Sequence, residues 1–430
     1  MSHMKICVIG LGYIGLPTAI LLSEKNEVVG VDVKKDVVDK INDKIMPFKE
    51  PGLDRLLEQS GITASTTPRP ADAFIICVPT PFDKEVRMAD LKFVRSAVES
   101  IVPHLRKGNI VILESTVSPG ACINVLEPIL EKSGLKAGED YYLAHCPERA
   151  IPGNTLHEMA YNDRIIGGID DASTQLARKI YATFVKGNIY TTDITTAEFV
   201  KLMENTYRDV NIALANELAI LAEEAKINIW EAISLANHHP RVNILKPGPG
   251  VGGHCIAVDP WFLTEATNRC RIINTAREIN DSMPAYVLSK VKVMTENIRR
   301  PKITVFGVAY KGNVDDARET PALKFIKLAE SEGFFVSTYD PLVSRFEMPL
   351  SSMEDAVRGT DCIVIISDHD LFKELDFGHL LDNSRHRNVL DTRNVVKSDG
   401  TFNLVKLGCS ENAHPVYVPP KKPVSMAKVS

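Results

Sequence analysis

The feature that most constrains this chain stands near its start. Lys5-Ile-Cys-Val-Ile9 is a short apolar run of strand type, Gly10-Leu-Gly-Tyr-Ile-Gly15 follows it directly, and a helix is predicted from near Leu16 to about Lys25. A strand, a glycine turn and a helix in that order open a dinucleotide-binding βαβ unit. Gly10, Gly12 and Gly15 make the turn and let a pyrophosphate reach the helix N-terminus, where unpaired N–H groups and the helix dipole favour anions. The glycine pattern alone is weak, and its context strengthens it. The next strand, Glu27-Val-Val-Gly-Val31, ends in Asp32, seventeen residues after Gly15. A carboxylate there accepts the adenosine ribose hydroxyls and repels a 2′-phosphate, which favours NAD over NADP. Lys34 and Lys35 temper that preference. The competing reading, in which the glycines only pack a helix on a strand, is weaker under this context test.

Further βα units follow. Ala73–Val78 runs into Pro79-Thr80-Pro81, Asn109–Leu113 runs into Glu114-Ser-Thr116, and Tyr141–Ala144 ends at His145-Cys-Pro-Glu148-Arg149. Loops after the carboxyl ends of strands face the ligand in a doubly wound sheet, so Thr80 and Thr116 are expected to face the cofactor. A hydroxyl capping the next helix is the alternative for both. This first domain continues through Arg164–Gly168 to about Thr192.

A long helix is predicted next, Ala197 to about Lys226, which at 1.5 Å per residue spans about 45 Å. Lys201, Asn205 and Arg208 fall on one face of it. Such a stripe is usually a solvated face, but asparagine is a poor choice in mid-helix. The neighbouring Val200, Leu202, Met203 and Tyr207 are also apolar. A second helix, Ile229 to about Asn237, leads through His239 and Arg241 to Lys246–Trp261, where four glycines and three prolines in sixteen residues exclude regular structure. Cys255 lies at the far end of this shaped loop, with His254 beside it and Asp259 four residues on. A displayed thiol is a candidate nucleophile; a cysteine buried under a glycine-rich turn is the bland alternative. A third helix covers about Arg271 to Arg299, and the three together make a natural hinge and dimer surface.

The alternation resumes at Lys302–Phe306, followed by Gly307 and Tyr310-Lys311-Gly312, with further strands at Phe335–Tyr339, Cys362–Ile366 and Asn388–Leu390. This second Rossmann-like domain lacks the full fingerprint and is expected to bind something other than a dinucleotide. Lys311, Arg318 and Arg393 lie at or just beyond strand ends, where phosphates bind in such sheets. The expected organisation is α/β: two doubly wound Rossmann-like domains, 4–192 and 300–415, joined by a helical segment, 193–299, with one long bridging helix. A flexible Pro-, Lys- and Ser-rich tail, 416–430, follows.

Composition narrows the function. With 44% hydrophobic and 24% charged residues and a net charge of −5, the chain reads as a globular enzyme with no bias toward nucleic acid. No apolar run reaches the roughly 18 residues of a membrane helix, and Met1-Ser2-His3 has the look of a vector scar before Met4. Eight cysteines without a C-x-x-C pair read as reduced thiols of a cytosolic protein. The adjacent pairs His145-Cys146 and His254-Cys255 diverge in extended chain, so no metal site is expected.

An NAD domain, a cysteine on a shaped loop, a lysine on a bridging helix and a second phosphate-competent domain suggest oxidation of an alcohol through an aldehyde to an acid. Lys201 is the candidate base or electrostatic partner for the alcohol. Cys255 would add to the aldehyde and carry a thioester after the second oxidation. Glu148 or Asp259 would activate the hydrolytic water, and Asn205 with Lys201 would hold the oxyanion.

Five motifs then carry a resemblance, which covers about Lys5 to Arg393. Gly10-Leu-Gly-Tyr-Ile-Gly-Leu-Pro17, Cys146-Pro-Glu-Arg149, Lys201-Leu-Met-Glu-Asn205, Gly252-Gly-His-Cys255 with Asp259, and Tyr310-Lys311 occur in the order of the UDP-glucose/UDP-mannosamine dehydrogenase family, which the chain resembles. His239–Phe262 and Glu204–Asn211 are similar to the members that oxidise UDP-N-acetylmannosamine; the UDP-glucose members usually carry Gly-Gly-Ser-Cys-Phe where this chain has His254 and Ile256. The rival substrates are UDP-N-acetylglucosamine and then UDP-glucose, and the rival of another class is a non-catalytic NAD and nucleotide-sugar binding protein. The resemblance implies nucleotide-sugar contacts from Arg149, Ala150, Lys201, Asn205, Arg208, His239, Arg241, Gly252, Tyr310, Lys311 and Arg318. It implies cofactor contacts from Tyr13, Ile14, Asp32, Thr80 and Thr116, the last also counted with the catalytic groups. Cys255 is implied as nucleophile and Lys201 as general acid/base. Pro152 stands where UDP-glucose enzymes often have a second glutamate. The implied partners are NAD, a UDP-sugar and further copies of the chain as a homodimer or higher oligomer, with neither nucleic acid nor membrane.

Overall fold

The computed structural model describes residues 3–48, 50–83, 88–150, 153–265, 267 and 269–410; Pro152 and the tail 416–430 lie outside them. The chain forms two compact units, the first made of the chain up to Val210 with His254–Arg277, the second of Asn211–Gly253 with the chain from Glu278 onward.

Besides a short antiparallel pair, Phe82–Asp83 with Met88–Ala89, the first unit has the strands β1 Lys5–Ile9, β2 Glu27–Val31, β3 Thr63–Ser65, β4 Ala73–Ile76, β5 Ile110–Leu113, β6 Tyr142–His145, β7 Arg164–Gly168 and β8 Ile189–Asp193. They form one eight-stranded sheet in the order β8-β7-β6-β5-β4-β1-β2-β3. Every neighbouring pair is parallel except β6 with β7. β4 and β5 are buried at every position, which is why they read as unbroken apolar runs: helices cover both faces of such a sheet. Strand order reverses at β1, the switch point where doubly wound folds bind ligands.

Helix α1, Gly15–Ser23, is buried from Gly15 to Leu22. Helix α2, Asp171–Tyr181, is capped by the Asp170 side chain, which accepts from the Ser173 N–H. Helix α3, Ile194–Glu224, is 31 residues long. It begins three residues before the predicted Ala197 because Asp193 caps it, accepting from the Thr196 N–H at 2.9 Å. Helices α4, Ile229–Ala236, and α5, Asp259–Thr264, follow, then α6, Arg271–Met294, which contains Pro284; α5 begins inside the stretch expected to hold no regular structure, because Pro260 falls in its first turn, where proline is tolerated. α6 stops short of the predicted Arg299, just before Thr295, whose hydroxyl turns back onto the Val291 carbonyl at 2.7 Å. The division between the units falls inside α3 and inside α6.

In the second unit β9 Lys302–Phe306, β10 Phe335–Tyr339, β11 Cys362–Ile365, β12 Asn388–Asp391 and β13 Asn403–Lys406 form an all-parallel sheet in the order β10-β9-β11-β12-β13. Helix α7, Pro321–Ser331, is capped by the Thr320 side chain and has proline at its first position. One core, with Val305, Phe325 and Ile326, and another, with Phe306, Phe372 and Phe377, pack against this sheet. The fold is therefore two doubly wound α/β sheets with a helical segment between them in the chain.

Candidate active site

The three fingerprint glycines differ in what holds them. A Cβ on Gly10, where φ is +90°, would lie 2.6 Å from the Cys77 carbonyl oxygen, and one on Gly15 would lie 1.8 Å from the Gly10 oxygen. Those two are required by the turn itself. A Cβ on Gly12 would meet nothing within 4 Å, so packing does not demand that glycine and close approach of a ligand does. The first turn of α1 has neither a side-chain cap nor an acidic residue, which leaves its positive dipole end to a phosphate. Asp32 ends β2 and closes the turn, its Oδ2 accepting from the Leu11 N–H at 3.0 Å and its Oδ1 from the Lys34 N–H at 2.9 Å. Tyr13 is 41% exposed and its ring lies 4.3 Å from that of Phe48; Ile14 is half-buried. Thr80 is buried and Thr116 half-buried, in the loops after β4 and β5. These residues fit NAD.

Helix α3 buries several charged and polar side chains and exposes several large apolar ones. Its buried face carries Glu198, Lys201, Asn205 and Asp209, all less than 9% exposed, while Phe199, Met203, Tyr207, Leu214 and Leu221 are 45–57% exposed. Glu198, Asn205 and Asp209 each meet a partner. Glu198 accepts from the N–H groups of Gly120 at 2.5 Å and Cys122 at 2.8 Å, below the Thr116 loop. Asp209 pairs with Arg277 of α6 at 2.5 Å, both essentially unexposed; removing one member of such a pair costs about 3–5 kcal/mol. The Asn205 amide donates to Asp259 Oδ2 at 2.6 Å. Burial pushes the Asp259 carboxyl up to about 6, while the Lys201 ammonium and the Asn205 amide pull it back down. Arg208, the third member of the predicted stripe, is exposed; the buried polar face continues through Asp209 instead.

Cys255 is exposed. Its carbonyl accepts from the Asp259 N–H at 2.8 Å, so one helical turn separates the thiol residue from the carboxylate at the head of α5. Burial pushes other thiols up: Cys7 and Cys409 to about 11, Cys146 and Cys362 to about 12, and Cys77 and Cys122 well above the ordinary value. None of these six is a thiolate near neutrality. Lys201, Asn205, Asp259 and Cys255 all belong to the first unit.

Glu148 is placed differently from a group waiting for a water. Its Oε1 accepts from the N–H groups of Arg149 at 2.6 Å and Ala150 at 2.9 Å, and its Oε2 pairs with Arg164. Arg149 in turn pairs with Glu204 of α3 at 2.6 Å. Sequence reasoning overlooked Glu114, Arg164, Glu198, Glu204 and Asp209. A charged residue inside a strand, Arg164, and an acid directly ending one, Glu114, were the available signals.

The second unit gathers the other cations and aromatic groups. Gly253, φ +84°, and Gly252 press on Tyr310, each with a Cβ position 3.0 Å from its side chain, and the Gly253 N–H donates to the Arg318 carbonyl at 3.1 Å. The Arg318 guanidinium forks onto Asp316 at 2.9 and 2.6 Å. Arg393 donates to Asp368 at 3.1 Å and crosses Gly248, where a Cβ would lie 2.4 Å from its Nη1. Lys311, His239 and Arg241 are exposed. Asn313, Glu319 and Asn394 adopt positive φ near these residues in the chain, conformations that persist where surrounding structure enforces them and that cluster at ligand sites. Asp340, which ends β10, is fully engaged. Its Oδ2 accepts from the N–H groups of Val308 at 2.7 Å and Ala309 at 3.1 Å and contacts His369 Nε2 at 3.2 Å; its Oδ1 accepts from the N–H groups of Leu342 and Val343 at 2.9 Å. The Asn313 N–H donates to His369 Nδ1 at 3.1 Å, leaving Nε2 to donate to Asp340. Among the described residues no cluster of three metal-ligating side chains occurs, and no helix is long and apolar enough to cross a membrane.

Three family models match the chain. They describe the NAD-binding domain of the UDP-glucose/GDP-mannose dehydrogenase family, over residues 4–185, its central domain, over 195–282, and its UDP-binding domain, over 304–398. A UDP-N-acetyl-D-mannosamine dehydrogenase of Methanococcus maripaludis is 49% identical over 406 residues, 91% of this chain and 93% of its own length. The solved structure of a UDP-D-ManNAc dehydrogenase from Pyrococcus horikoshii is 42% identical with a TM-score of 0.90, covering 94% of this chain and 99% of that one. That of a UDP-N-acetylmannosamine dehydrogenase from Staphylococcus aureus is 44% identical with a TM-score of 0.86, covering 94% and 98%.

Proposed function

The chain belongs to the UDP-glucose/GDP-mannose dehydrogenase family and is an NAD-dependent oxidoreductase, and from that premise we propose that it oxidises UDP-N-acetyl-α-D-mannosamine to its uronic acid. The observation that carries the chemistry is the grouping of Lys201 and Asn205 around the buried Asp259, with Cys255 one helical turn away. The names of the relatives support the choice of sugar.

NAD, when bound, accepts hydride in each of two successive oxidations. Lys201 takes the proton of the C6 hydroxyl as the aldehyde forms. The Cys255 thiolate then adds to the aldehyde carbon, and the resulting oxyanion is stabilised by the Lys201 ammonium and the Asn205 amide. The second oxidation leaves a thioester on Cys255. Asp259, as the carboxylate, accepts a proton from the water that attacks this thioester, and the acid leaves with the thiolate restored. In the second unit, Lys311, Arg318 and Arg393 supply cations for the diphosphate and Tyr310 a ring beside Gly252 and Gly253.

The test is NADH production with UDP-N-acetylmannosamine, UDP-N-acetylglucosamine and UDP-glucose, each supplied as the limiting reagent. Two NADH per UDP-N-acetylmannosamine, with little from the others, is expected. Two NADH from another of the sugars would overturn the substrate and leave the mechanism standing.

The exposed apolar face of α3 is the surface on which a second copy would dock, since a helix pairing with its own symmetry mate buries the same residues twice. A dimer is expected in sedimentation, and Tyr207→Glu combined with Leu214→Glu should shift it to monomer; a wild-type monomer at assay concentration would end that assignment. Scattered cysteines without paired spacing are consistent with a cytoplasmic setting.

A further inference from the structure

We propose that Arg164 is a positioning residue of this oxidation: it anchors Glu148 and, through it, shapes the turn that presents Arg149 and Ala150 to the nucleotide sugar. The inference rests on the function proposed above and adds to it a division of labour between the two carboxylates.

Sheet topology brings the pair together. β7 runs antiparallel to β6, and its register sets Ala144 opposite Gly168 and His145 opposite Gly167. Continued past the strand end, that register sets Glu148 opposite Arg164. A parallel β7 would have put Arg164 at the other edge of the sheet. The guanidinium is 4% exposed and cannot swing away. It lies 5.0 Å from the Tyr181 ring centre and 5.4 Å from that of Phe184, and its Nη1 is 3.7 Å from Cys146 Sγ. Glu114 backs it at 3.9 Å. That second carboxylate is itself held by Tyr181 at 2.6 Å, Cys77 at 2.9 Å and Thr18 of α1 at 3.1 Å.

Glu148 therefore has both oxygens committed, one to two backbone N–H groups and the other to a buried cation. A carboxylate that takes a proton loses the charge that strengthens every bond it accepts, and for Glu148 those bonds come from Arg164 and from the two N–H groups of its own turn. The turn is also tied at its other end, where Arg149 donates to the Asp163 carbonyl and pairs with Glu204. On this geometry Glu148 holds the substrate-facing backbone, and activation of water belongs to Asp259.

Arg164→Lys and Glu148→Gln separate the roles, with steady-state kinetics, NAD titration and thermal melting on the full-length enzyme. Both variants are expected to raise KM for the UDP-sugar about tenfold or more, the size of effect that follows loss of a charge-assisted hydrogen bond supporting the site. Saturated kcat should fall less than about threefold, and NAD affinity should be unchanged. In Glu148→Gln the acid limb of kcat against pH should stay where it is in wild type. The titratable or charged groups facing Glu148 are Arg164, Glu114, Cys77, Cys146 and Arg149, so a limb that vanishes with Glu148 would assign it to Glu148 itself. That result, or a kcat loss of about a hundredfold or more with KM intact, as expected of a general acid or base, overturns the proposal, as does wild-type KM in both variants. If Arg164→Lys does not fold, Glu148→Gln alone decides. A wild-type enzyme that makes no NADH from any UDP-sugar fails the function proposed above, and the kinetics of these variants are then read with whichever substrate it does oxidise.

Discussion

Cys255→Ser is expected to abolish acid formation, lowering kcat for the complete reaction by at least about 10⁴-fold, while NAD and UDP-sugar still bind. A serine hydroxyl is a far weaker nucleophile than a thiolate at neutral pH. Cys255 is exposed, at the end of a loop with no regular structure before it, so the substitution removes little packing. NADH should fall from two per UDP-sugar to one at most, and trapping with a hydrazine should reveal aldehyde. Undiminished conversion to the uronic acid would remove Cys255 from the mechanism.

Lys201→Ala is expected to lower kcat about 10²- to 10⁴-fold, the usual range for loss of a general acid or base, with NAD affinity nearly unchanged. It should also move the pH dependence. Asp259 must be ionised to take a proton from water, so activity falls as pH drops through its pKa of about 6. The Lys201 charge is one of the two influences that lower that value. Without it burial acts with less opposition, and the acid limb of the residual activity should move to higher pH. A limb that stays in place, or a variant that loses only NAD affinity, would mean that Lys201 is not the group beside Asp259.

The same carboxyl carries a stability consequence. Its folded pKa is raised above the ordinary carboxylate value, so between about pH 4 and pH 6 the native state holds more protons than the unfolded chain. Its contribution to stability therefore declines as pH rises across that window.

Much of this was legible in local sequence. The fingerprint, Asp32 and the asparagine in mid-helix each announce themselves within a few residues of their neighbours, and β4, β5 and β11 are unmistakable because both of their faces are covered. In the two large sheets the strands that reading missed, β3, β8 and β13, are all edge strands. β8 and β13 have no fully buried position, so neither gives an apolar run to recognise, and β3 is only three residues long. What stayed illegible in the site is what distant segments assemble. Arg164 meets Glu148 through the register of one antiparallel strand, Glu114 meets Tyr181 across 67 residues and Asp209 meets Arg277 across 68. Arg208 and Asp209 could each continue the Lys201–Asn205 face, and only the packing against α6 selects the aspartate.

Asp340 bears on how readily the second half of this molecule could be redesigned. It ends the second strand of its sheet as Asp32 does in the first, yet its carboxylate is fully occupied by four backbone N–H groups and His369. The acceptor that a ribose would need has been turned inward as a rivet for the Gly307 turn. Grafting a Gly-x-Gly-x-x-Gly sequence after β9 would therefore not create a second dinucleotide site. His369 and the Asn313 turn that orients it would have to be replaced as well, so a cofactor pocket there would need several simultaneous changes.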